Sequence, residues 1–538
     1  GLADRLPEAA ALLEACRPGG RRAAVRGLAG SARGYLVSWL QRRTGRTVLY
    51  VVAHGDAYEE ARDDLEYFRG PGDTLALPEP DTLPYDPSSP HPGITAQRLD
   101  TLARLAGGGS GVVLATARGV LQKVPRPERL RRAVLGLSVG SDYDPGALME
   151  RLVFMGYERL PEVEAVGQFA RRGGILDVYA VGLADPLRLE FDGDTLVSLR
   201  RFDASSQRSL EQLPAARVLP RYEVVVEPGE AAAVAARLRA AGRGAADDGD
   251  AGPARGDWLF HDGMERFAAH YDPEPGTLFD YLPDDAIVVL DDPGALRARA
   301  TDLDELVARG HAEARGPYPS VSPPEALFLP GADFDALTSA RPGADWLGPV
   351  VEAGDAARHA EALVVDCSPA EPVQRSIERL RGHLAELGAR GIQPVVLCDN
   401  PGQRDRLAEL LGEAGATLGV GLVSAGFTLA AAGLAVLTDH EIFARYRRRR
   451  RRLRRTGGLS LAELSALVAD HADRICWTVE SLAALDLAFA KAKYAFALRA
   501  APPEMMPFRP TRGLHPGSTV RLIQARHPLL HPDTAASR

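Results

Sequence analysis

Paired cysteines, a net positive charge and long apolar runs are all missing from this sequence. The four cysteines, Cys16, Cys367, Cys398 and Cys476, lie far apart and have no histidine at metal-ligand spacing, so we expect buried reduced thiols and no metal site. A net charge of −8 argues against a chain that binds nucleic acid over its whole surface. No run of roughly 18 uncharged apolar residues is present to span a bilayer and no signal peptide opens the chain, which predicts a cytoplasmic protein.

Length and apolar content predict several domains. A chain of 538 residues exceeds what one hydrophobic core usually supports, and an apolar fraction of 45% supplies side chains for more than one core. The 54 glycines and 40 prolines indicate many loops. We therefore expect roughly three to five domains.

Helical and strand patterns alternate in the first 120 residues, which predicts an open α/β sheet. The predicted elements there are a helix at 6–15, a strand at 47–53, a helix at 57–68 and a strand at 111–116. The pattern resumes with a strand at 286–290 and a helix at 296–308, after a loop at 240–256. A second, small α/β domain is predicted from about residue 350, with a strand at 394–398 and a helix at 403–414.

Residues 167–210 predict a three-stranded antiparallel meander. Strands are expected at 175–179, 187–191 and 196–201, and Asp192-Gly193-Asp194 supplies a hairpin turn. Because side chains alternate along a strand, the two leucines and the phenylalanine of the second strand point to one face, and Arg188 and Glu190 point to the other. The polar face is either a solvated surface or a site where a protein or an anion docks.

The motifs of this segment resemble a known domain. GQFARRGGILDVY from Gly167, LRLEFDGD from Leu187 and RRFDASSQRSL from Arg200 are similar to the UvrA-binding domain shared by UvrB-type excision-repair helicases and the transcription-repair coupling factors (Mfd). Outside it, DTLPYDPSSPHPGITAQRLDTLARL from Asp81, GYERLPEVEAVGQFA from Gly156 and two later segments resemble the coupling factors rather than UvrB. The resemblance covers about residues 1–461, the amino-terminal, non-motor part of that family.

The resemblance implies UvrA as the partner. By that resemblance Arg172 and Arg188 match the two arginines that contact UvrA, and Phe191 is an apolar anchor beside them. A second aromatic residue usually follows this phenylalanine, but Asp192 stands there in this chain. The margin of the patch is expected to contain Arg171, Glu190 and Arg201.

The resemblance also implies an α/β multidomain fold. A degenerate UvrB-like, helicase-like α/β domain is expected to contain an inserted, mainly antiparallel UvrA-binding domain, and a further small α/β domain and a helical tail are expected to follow. The expected boundaries are 1–120 and 216–345 for the two parts of the UvrB-like domain, 121–215 for the UvrA-binding domain, 350–440 for the small α/β domain, 441–460 for an arginine-rich linker helix and 461–538 for the tail.

A glycine-rich loop precedes the first long helix but lacks the residues that bind a nucleotide. Its candidate residues are Gly27, Gly30, Ser31 and Arg33. A working phosphate loop needs a lysine for the phosphates and a hydroxyl for magnesium. Where UvrB-type proteins carry Gly-Lys-Thr, this chain has Ala32-Arg33-Gly34, so we expect no ATPase, no catalytic residues and no cofactor. The acidic run at 290–293 is either a strand-ending turn or a mimic of a magnesium-binding carboxylate.

A run of arginines follows the predicted small domain. Its nine members are Arg445, Arg447, Arg448, Arg449, Arg450, Arg451, Arg452, Arg454 and Arg455. Such a run binds DNA backbones by releasing counterions. The alternative is a solvated linker helix, because arginines surround it and only Tyr446 and Leu453 are apolar.

After residue 461 the resemblance changes. Instead of an RNA-polymerase-contacting domain and a translocase, residues 467–504 and 520–530 resemble a fragment of the second family of MutS-like proteins. A helix is expected there, because Leu482, Leu485, Phe489 and Ala492 form one stripe that Pro502 closes. The sequence ends before a phosphate loop, so this fragment is expected to lack the ATPase and nuclease of that family.

Two classes of function follow from these patterns. The first is a non-catalytic adaptor that binds UvrA in transcription-coupled nucleotide excision repair. The second is a DNA-binding, ATP-driven repair protein that acts on damaged or mismatched DNA. The arginines of the meander favour the first class, and Arg33-Gly34 in the loop counts against the second.

Overall fold

A computed structural model describes residues 2–241, 259–315, 320–348, 360–371, 373, 376–412 and 415–443, together with nine separate positions between 477 and 489. Residues 1–458 form one compact unit, and residues 459–538 form a second. All the strands and helices named below lie in the first unit.

The strands are numbered in chain order. They are β1 (Ala23–Arg26), β2 (Val48–Val52), β3 (Thr74–Leu77), β4 (Val112–Thr116), β5 (Leu135–Ser138), β6 (Glu158–Arg159), β7 (Gln168–Arg172), β8 (Ile175–Val178), β9 (Leu187–Asp192), β10 (Thr195–Phe202), β11 (Ser209–Gln212), β12 (Ala215–Val218), β13 (Ile287–Asp291), β14 (Gly343–Trp346), β15 (Leu363–Val364), β16 (Cys367–Pro369), β17 (Gln393–Cys398), β18 (Thr417–Val420), β19 (Phe427–Leu429) and β20 (Leu434–Thr438).

The α-helices are numbered in the same way. They are α1 (Ala9–Ala15), α2 (Ala32–Thr44), α3 (Gly55–Arg69), α4 (Pro92–Ala106), α5 (Ala117–Leu121), α6 (Pro127–Ala133), α7 (Pro145–Phe154), α8 (Ala231–Ala240), α9 (Ala268–Tyr271), α10 (Pro293–Arg315), α11 (Pro324–Leu327), α12 (Phe334–Ser339), α13 (Ile377–Ala389), α14 (Pro401–Leu411) and α15 (Asp439–Phe443).

A parallel seven-stranded sheet forms the centre of the first unit, in the order β15-β1-β14-β13-β2-β4-β3. Strands β2 and β4 are buried at every position, as expected for the valine- and leucine-rich strands of a sheet covered on both faces. The loop between β1 and α2 lies at the carboxyl end of a strand of this sheet. Open α/β sheets bind ligands at that edge, which makes the loop a candidate site.

A second sheet has six strands, in the order β11-β10-β9-β8-β7-β6. All its pairings are antiparallel except that of β6 with β7. One face packs on α7 through a core that includes Leu152, Leu176 and Leu189, each at most 1% exposed. The opposite face carries polar side chains together with a small apolar cluster of Val163, Ala170 and Tyr179.

A five-stranded mixed sheet, in the order β16-β19-β20-β17-β18, builds the small α/β region after β15. Phe427 and Leu429 of β19 join the same hydrophobic core as Leu36 of α2 and Leu65 of α3. The small region and one side of the parallel sheet therefore share a core.

The predicted α/β multidomain class is confirmed. Predicted strands at 47–53, 111–116 and 286–290 correspond to β2, β4 and β13. The first helix is shorter than predicted and begins at Ala9, because Pro7 disfavours the helical conformation at the preceding Leu6. The loop predicted at 240–256 lies outside the described residues from 242 onward.

The meander is longer than predicted. The three predicted strands are β8, β9 and β10, but β7 and β11 extend them on both sides. All four residues of β11 are exposed, and Leu210 is its only apolar residue. The strand therefore lacks the alternation of apolar and polar residues that predicts a half-buried strand.

Of the three cysteines that the structure describes, Cys16 and Cys398 are buried as predicted, whereas Cys367 is only partly buried. Burial raises the pKa of Cys16 to about 12 and the pKa of Cys398 to about 11, and neither forms a disulfide. No group of three possible metal ligands was found among the described residues. Within that same part of the chain, no helix has the length and apolar character needed to cross a membrane.

Candidate protein-docking face

Two rows of paired residues form the polar face of the six-stranded sheet. One row joins Ala170, Asp177, Arg188 and Arg200, and the other joins Arg172, Ile175, Glu190 and Ser198. Directly paired residues of an antiparallel sheet point to the same side. The docking face, defined by these two rows, thus includes three of the predicted residues: Arg172, Arg188 and Glu190.

Arg188 is held on several sides. Its Nε and Nη2 donate to the two carboxylate oxygens of Asp177 at 2.8 and 2.9 Å, and Nη2 and Nη1 also donate to the Gln207 side chain and main-chain carbonyl at 2.9 and 3.3 Å. The guanidinium carbon lies 4.2 Å from the centroid of the buried Phe202 ring. Four of its five N–H donors are therefore used, and one remains for a partner. The hydrogen bonds to Asp177 raise the pKa of Arg188.

A short turn positions Gln207 for this contact. Gln207 has a φ of 59°, a value that is uncommon for residues other than glycine. The turn is fixed by Asp203, whose carboxylate accepts from the Ser205 hydroxyl at 2.6 Å and from the Ser206 amide at 2.7 Å. These hydrogen bonds lower the pKa of Asp203 to about 2. Arg188 is therefore pre-organised before any partner binds.

Arg172 and Arg200 are more available than Arg188. The Arg172 side chain is 52% exposed and lies 3.3 Å from a carboxylate oxygen of Glu162, and Arg200 lies 2.7 Å from Glu190, both at 32% exposure. Exposed ion pairs of this kind contribute little to stability. A partner can therefore exchange its own charged groups into them.

Three predicted residues lie away from the docking face. Arg171 is paired in the row of Leu176 and Leu189, so it is on the side of the core, as are Phe191 and Arg201. In β10 a bulge at Val197 adds one residue opposite Glu190 and Phe191. The extra residue reverses the alternation after it, which puts Arg200 rather than Arg201 on the docking face. Arg201 instead pairs with Glu211.

The glycine-rich loop between β1 and α2 is occupied by protein. Gly27 and Gly30 have φ values of 90° and 51°, and a Cβ atom on Gly27 would lie 2.4 Å from the Val365 carbonyl oxygen. The Ser31 amide and hydroxyl both donate to the Ala425 carbonyl oxygen, at 3.0 and 2.8 Å. Ser31 is fully buried.

Arg33 also has a fixed partner. Its guanidinium forms an ion pair with Asp291 at the end of β13, and Asp291 also accepts a hydrogen bond from the Tyr50 hydroxyl. Burial raises the pKa of Asp291, although Arg33 opposes that shift. Asp291, the first carboxylate of the acidic run at 290–293, therefore lies beside the glycine-rich loop, where it binds Arg33.

Comparison with known proteins gives the same assignment as the motifs. Residues 135–223 match the family model of the UvrB interaction domain. The transcription-repair-coupling factor of Myxococcus xanthus is 31% identical over 506 residues, which cover 80% of this chain and 40% of that protein. The Mycobacterium bovis factor is 31% identical over 75% of this chain and 34% of its own length, and the Escherichia coli factor is 32% identical over 36% and 17%.

This chain contains a region like the amino-terminal part of the transcription-repair-coupling factors. It spans two fifths or less of the length of the relatives named here. Its docking face lies within the residues that match the UvrB interaction domain. The roles of the individual residues of that face stay predictions.

Several residues that build the docking face were not predicted. Asp177 is next but one to Ile175 in β8, so alternation alone was a sufficient signal for it. Gln207, Phe202 and Glu162 had no such signal, because a turn, a register and a loop bring them to the two arginines. The nine arginines at 445–455 lie outside the described residues.

The predicted tail helix is described in part. Leu482, Leu485 and Phe489 are helical and more than half exposed, whereas Ala492 lies outside the described residues. The MutS-like resemblance of the tail stays a prediction.

Proposed function

We propose that this chain binds UvrA through the docking face and serves as an adaptor in transcription-coupled nucleotide excision repair. The observation that carries this proposal is the pre-organised Arg188 beside the exposed Arg172, within a UvrB interaction domain. Rigid arginines are frequent anchors of protein interfaces. The mixed charges of the face, Arg172 with Glu162 and Arg200 with Glu190, fit a partner surface that also carries both signs.

The direct test is capture of purified UvrA by the immobilised full chain, with and without DNA. We expect capture in both cases, because the docking face is made of protein side chains that need no DNA. Capture that requires DNA would count against the adaptor and favour a DNA-bound complex. No capture in either case would contradict the proposal.

We further propose that the chain has no ATPase activity of its own. The supporting observations are that Arg33 is paired with Asp291 and that Ser31 donates to Ala425. The purified chain is expected to show no saturable, magnesium-dependent ATP turnover and no binding of a fluorescent ATP analogue. Turnover that is lost in a Gly30→Ala variant would show that the loop is active.

DNA contact is the second candidate function, and the arginine run at 445–455 favours it. Deletion of residues 445–455 is expected to remove weak DNA retention while UvrA capture persists. With up to nine phosphate contacts, the affinity of the chain for DNA should fall steeply between low and physiological salt. The logarithm of the binding constant should decrease against the logarithm of the salt concentration with a slope of roughly 0.9 per phosphate contact. Mismatch-selective binding that survives the deletion would instead favour a MutS-type function.

A further inference from the structure

We infer that the degenerate phosphate loop is a docking socket for the small α/β region, in which the turn Ser424-Ala425-Gly426 takes the place of an anionic ligand. The inference is independent of UvrA binding. The turn lies just before β19 and inserts at the carboxyl end of β1. Two sets of hydrogen bonds hold the turn there: one involves Ser31 of the loop and the other involves Asp64 of α3.

The loop donates hydrogen bonds to a carbonyl oxygen of the turn. Both the amide and the hydroxyl of Ser31 donate to the carbonyl oxygen of Ala425. Backbone amides at a helix start normally bind anions, and a peptide carbonyl oxygen is a neutral acceptor of the same kind. The cation of the loop, Arg33, is already paired with Asp291. A neutral acceptor therefore suits the loop better than a phosphate.

The glycines of the loop fit a protein backbone. A Cβ atom on Gly30 would lie 2.5 Å from the Gly426 carbonyl oxygen and 2.9 Å from that of Ala425. Real Cβ atoms do not approach backbone oxygens so closely. Gly30 thus allows the turn to reach Ser31.

Asp64 of α3 occupies the space that a side chain at position 34 would need. Asp64, at 4% exposure, accepts from the Ser424 amide at 2.6 Å and from the Ser424 hydroxyl at 2.8 Å. A Cβ atom on Gly34 would lie 2.7 Å from the Cβ atom of Asp64. A threonine at 34, as a magnesium site requires, would therefore displace the carboxylate that holds the turn.

The small α/β region presents the turn in a fixed shape. Glu441 of α15 accepts from the Gly426 amide at 2.6 Å and from the Thr438 amide at 3.0 Å. The next residue, Phe427, is fully buried, and its ring centroid lies 6.0 Å from that of Tyr35 in α2. Polar contacts at the loop and apolar contacts beside it thus act at one interface.

The test compares amide hydrogen exchange in full-length variants. In Gly30→Ala the new Cβ atom meets the turn, whereas in the control Gly45→Ala it meets nothing within 4 Å, although Gly45 has a similar positive φ of 68°. We expect exchange in residues 417–438 to be roughly tenfold or more faster in Gly30→Ala, with β2 and β4 unchanged, and no change in Gly45→Ala. The milder variants Ser31→Ala and Asp64→Asn are expected to change the same residues if Gly30→Ala does not fold.

A second variant tests the occupant of the loop. Ala32→Gly, Arg33→Lys and Gly34→Thr together restore the Gly-Lys-Thr of a phosphate loop, and a fluorescent ATP analogue with magnesium is the probe. We expect faster exchange in residues 417–438, because the displaced Asp64 no longer holds Ser424, and we expect any analogue binding to be accompanied by that faster exchange. Analogue binding with unchanged exchange in 417–438, or wild-type exchange in Gly30→Ala, Ser31→Ala and Asp64→Asn alike, would overturn the inference.

Discussion

Replacing Arg172 and Arg188 together by alanine is expected to abolish capture of UvrA by the full chain. The two arginines belong to adjacent rows of the docking face, and one is exposed while the other is fixed by Asp177. Truncation of an arginine anchor at an interface typically costs about 2–4 kcal/mol, and each 1.4 kcal/mol is about tenfold in affinity. Even one such loss therefore weakens binding by roughly 30-fold or more.

The control for this double variant is Arg217→Ala. Arg217 lies in β12 of the same matched domain, is 51% exposed and pairs with Asp100 of α4, away from the docking face. Its replacement should leave capture unchanged. Arg171→Ala is a second comparison, because the register places Arg171 on the side of the core. Retention of full capture by the Arg172/Arg188 double variant would eliminate the docking face as the UvrA site.

Replacing Asp177 by alanine is expected to destabilise the six-stranded sheet and to remove UvrA capture. The Asp177 side chain is 6% exposed and the Arg188 side chain 17%. Removing Asp177 leaves the largely buried Arg188 with only its contacts to Gln207 and Phe202 and costs roughly 1–3 kcal/mol. Thermal unfolding followed by circular dichroism measures the loss of stability, and Asp177→Asn, which keeps one acceptor oxygen, should lose less.

A paired replacement separates stability from binding. In Asp177→Leu with Arg188→Met, no charge is left buried, and such apolar replacements of an ion pair are often neutral or stabilising. We expect this variant to unfold close to the wild-type temperature but to fail to capture UvrA. Wild-type capture by this variant would mean that Arg188 only supports the fold.

Local patterns predicted much of the sheet but less of the site. The alternation in β9 correctly placed Arg188 and Glu190 on one face of the sheet and Leu187 and Leu189 on the other. The same rule does not reveal the bulge at Val197, and so it did not distinguish Arg200 from Arg201. A bulge is set by how two strands pair, which a single strand's period of two does not contain.

The loop between β1 and α2 shows the same division. Its lack of a lysine and a hydroxyl was visible in Ala32-Arg33-Gly34, because a phosphate loop is a local motif. What fills it was not visible, since Arg33 and Asp291 are 258 residues apart and Ser31 and Ala425 are 394 apart.

Strand and helix periods, the absence of lysine from the glycine-rich loop and the motifs of the UvrB interaction domain were thus recognisable in the sequence, because each depends on residues close in sequence. The partners of Arg188, the face on which Arg201 lies and the turn seated on Ser31 were decided by tertiary structure alone. Each of these is set by a strand register, a turn or a shared core that joins distant segments. Hydrogen bonds and burial between such segments exist only once the chain has folded.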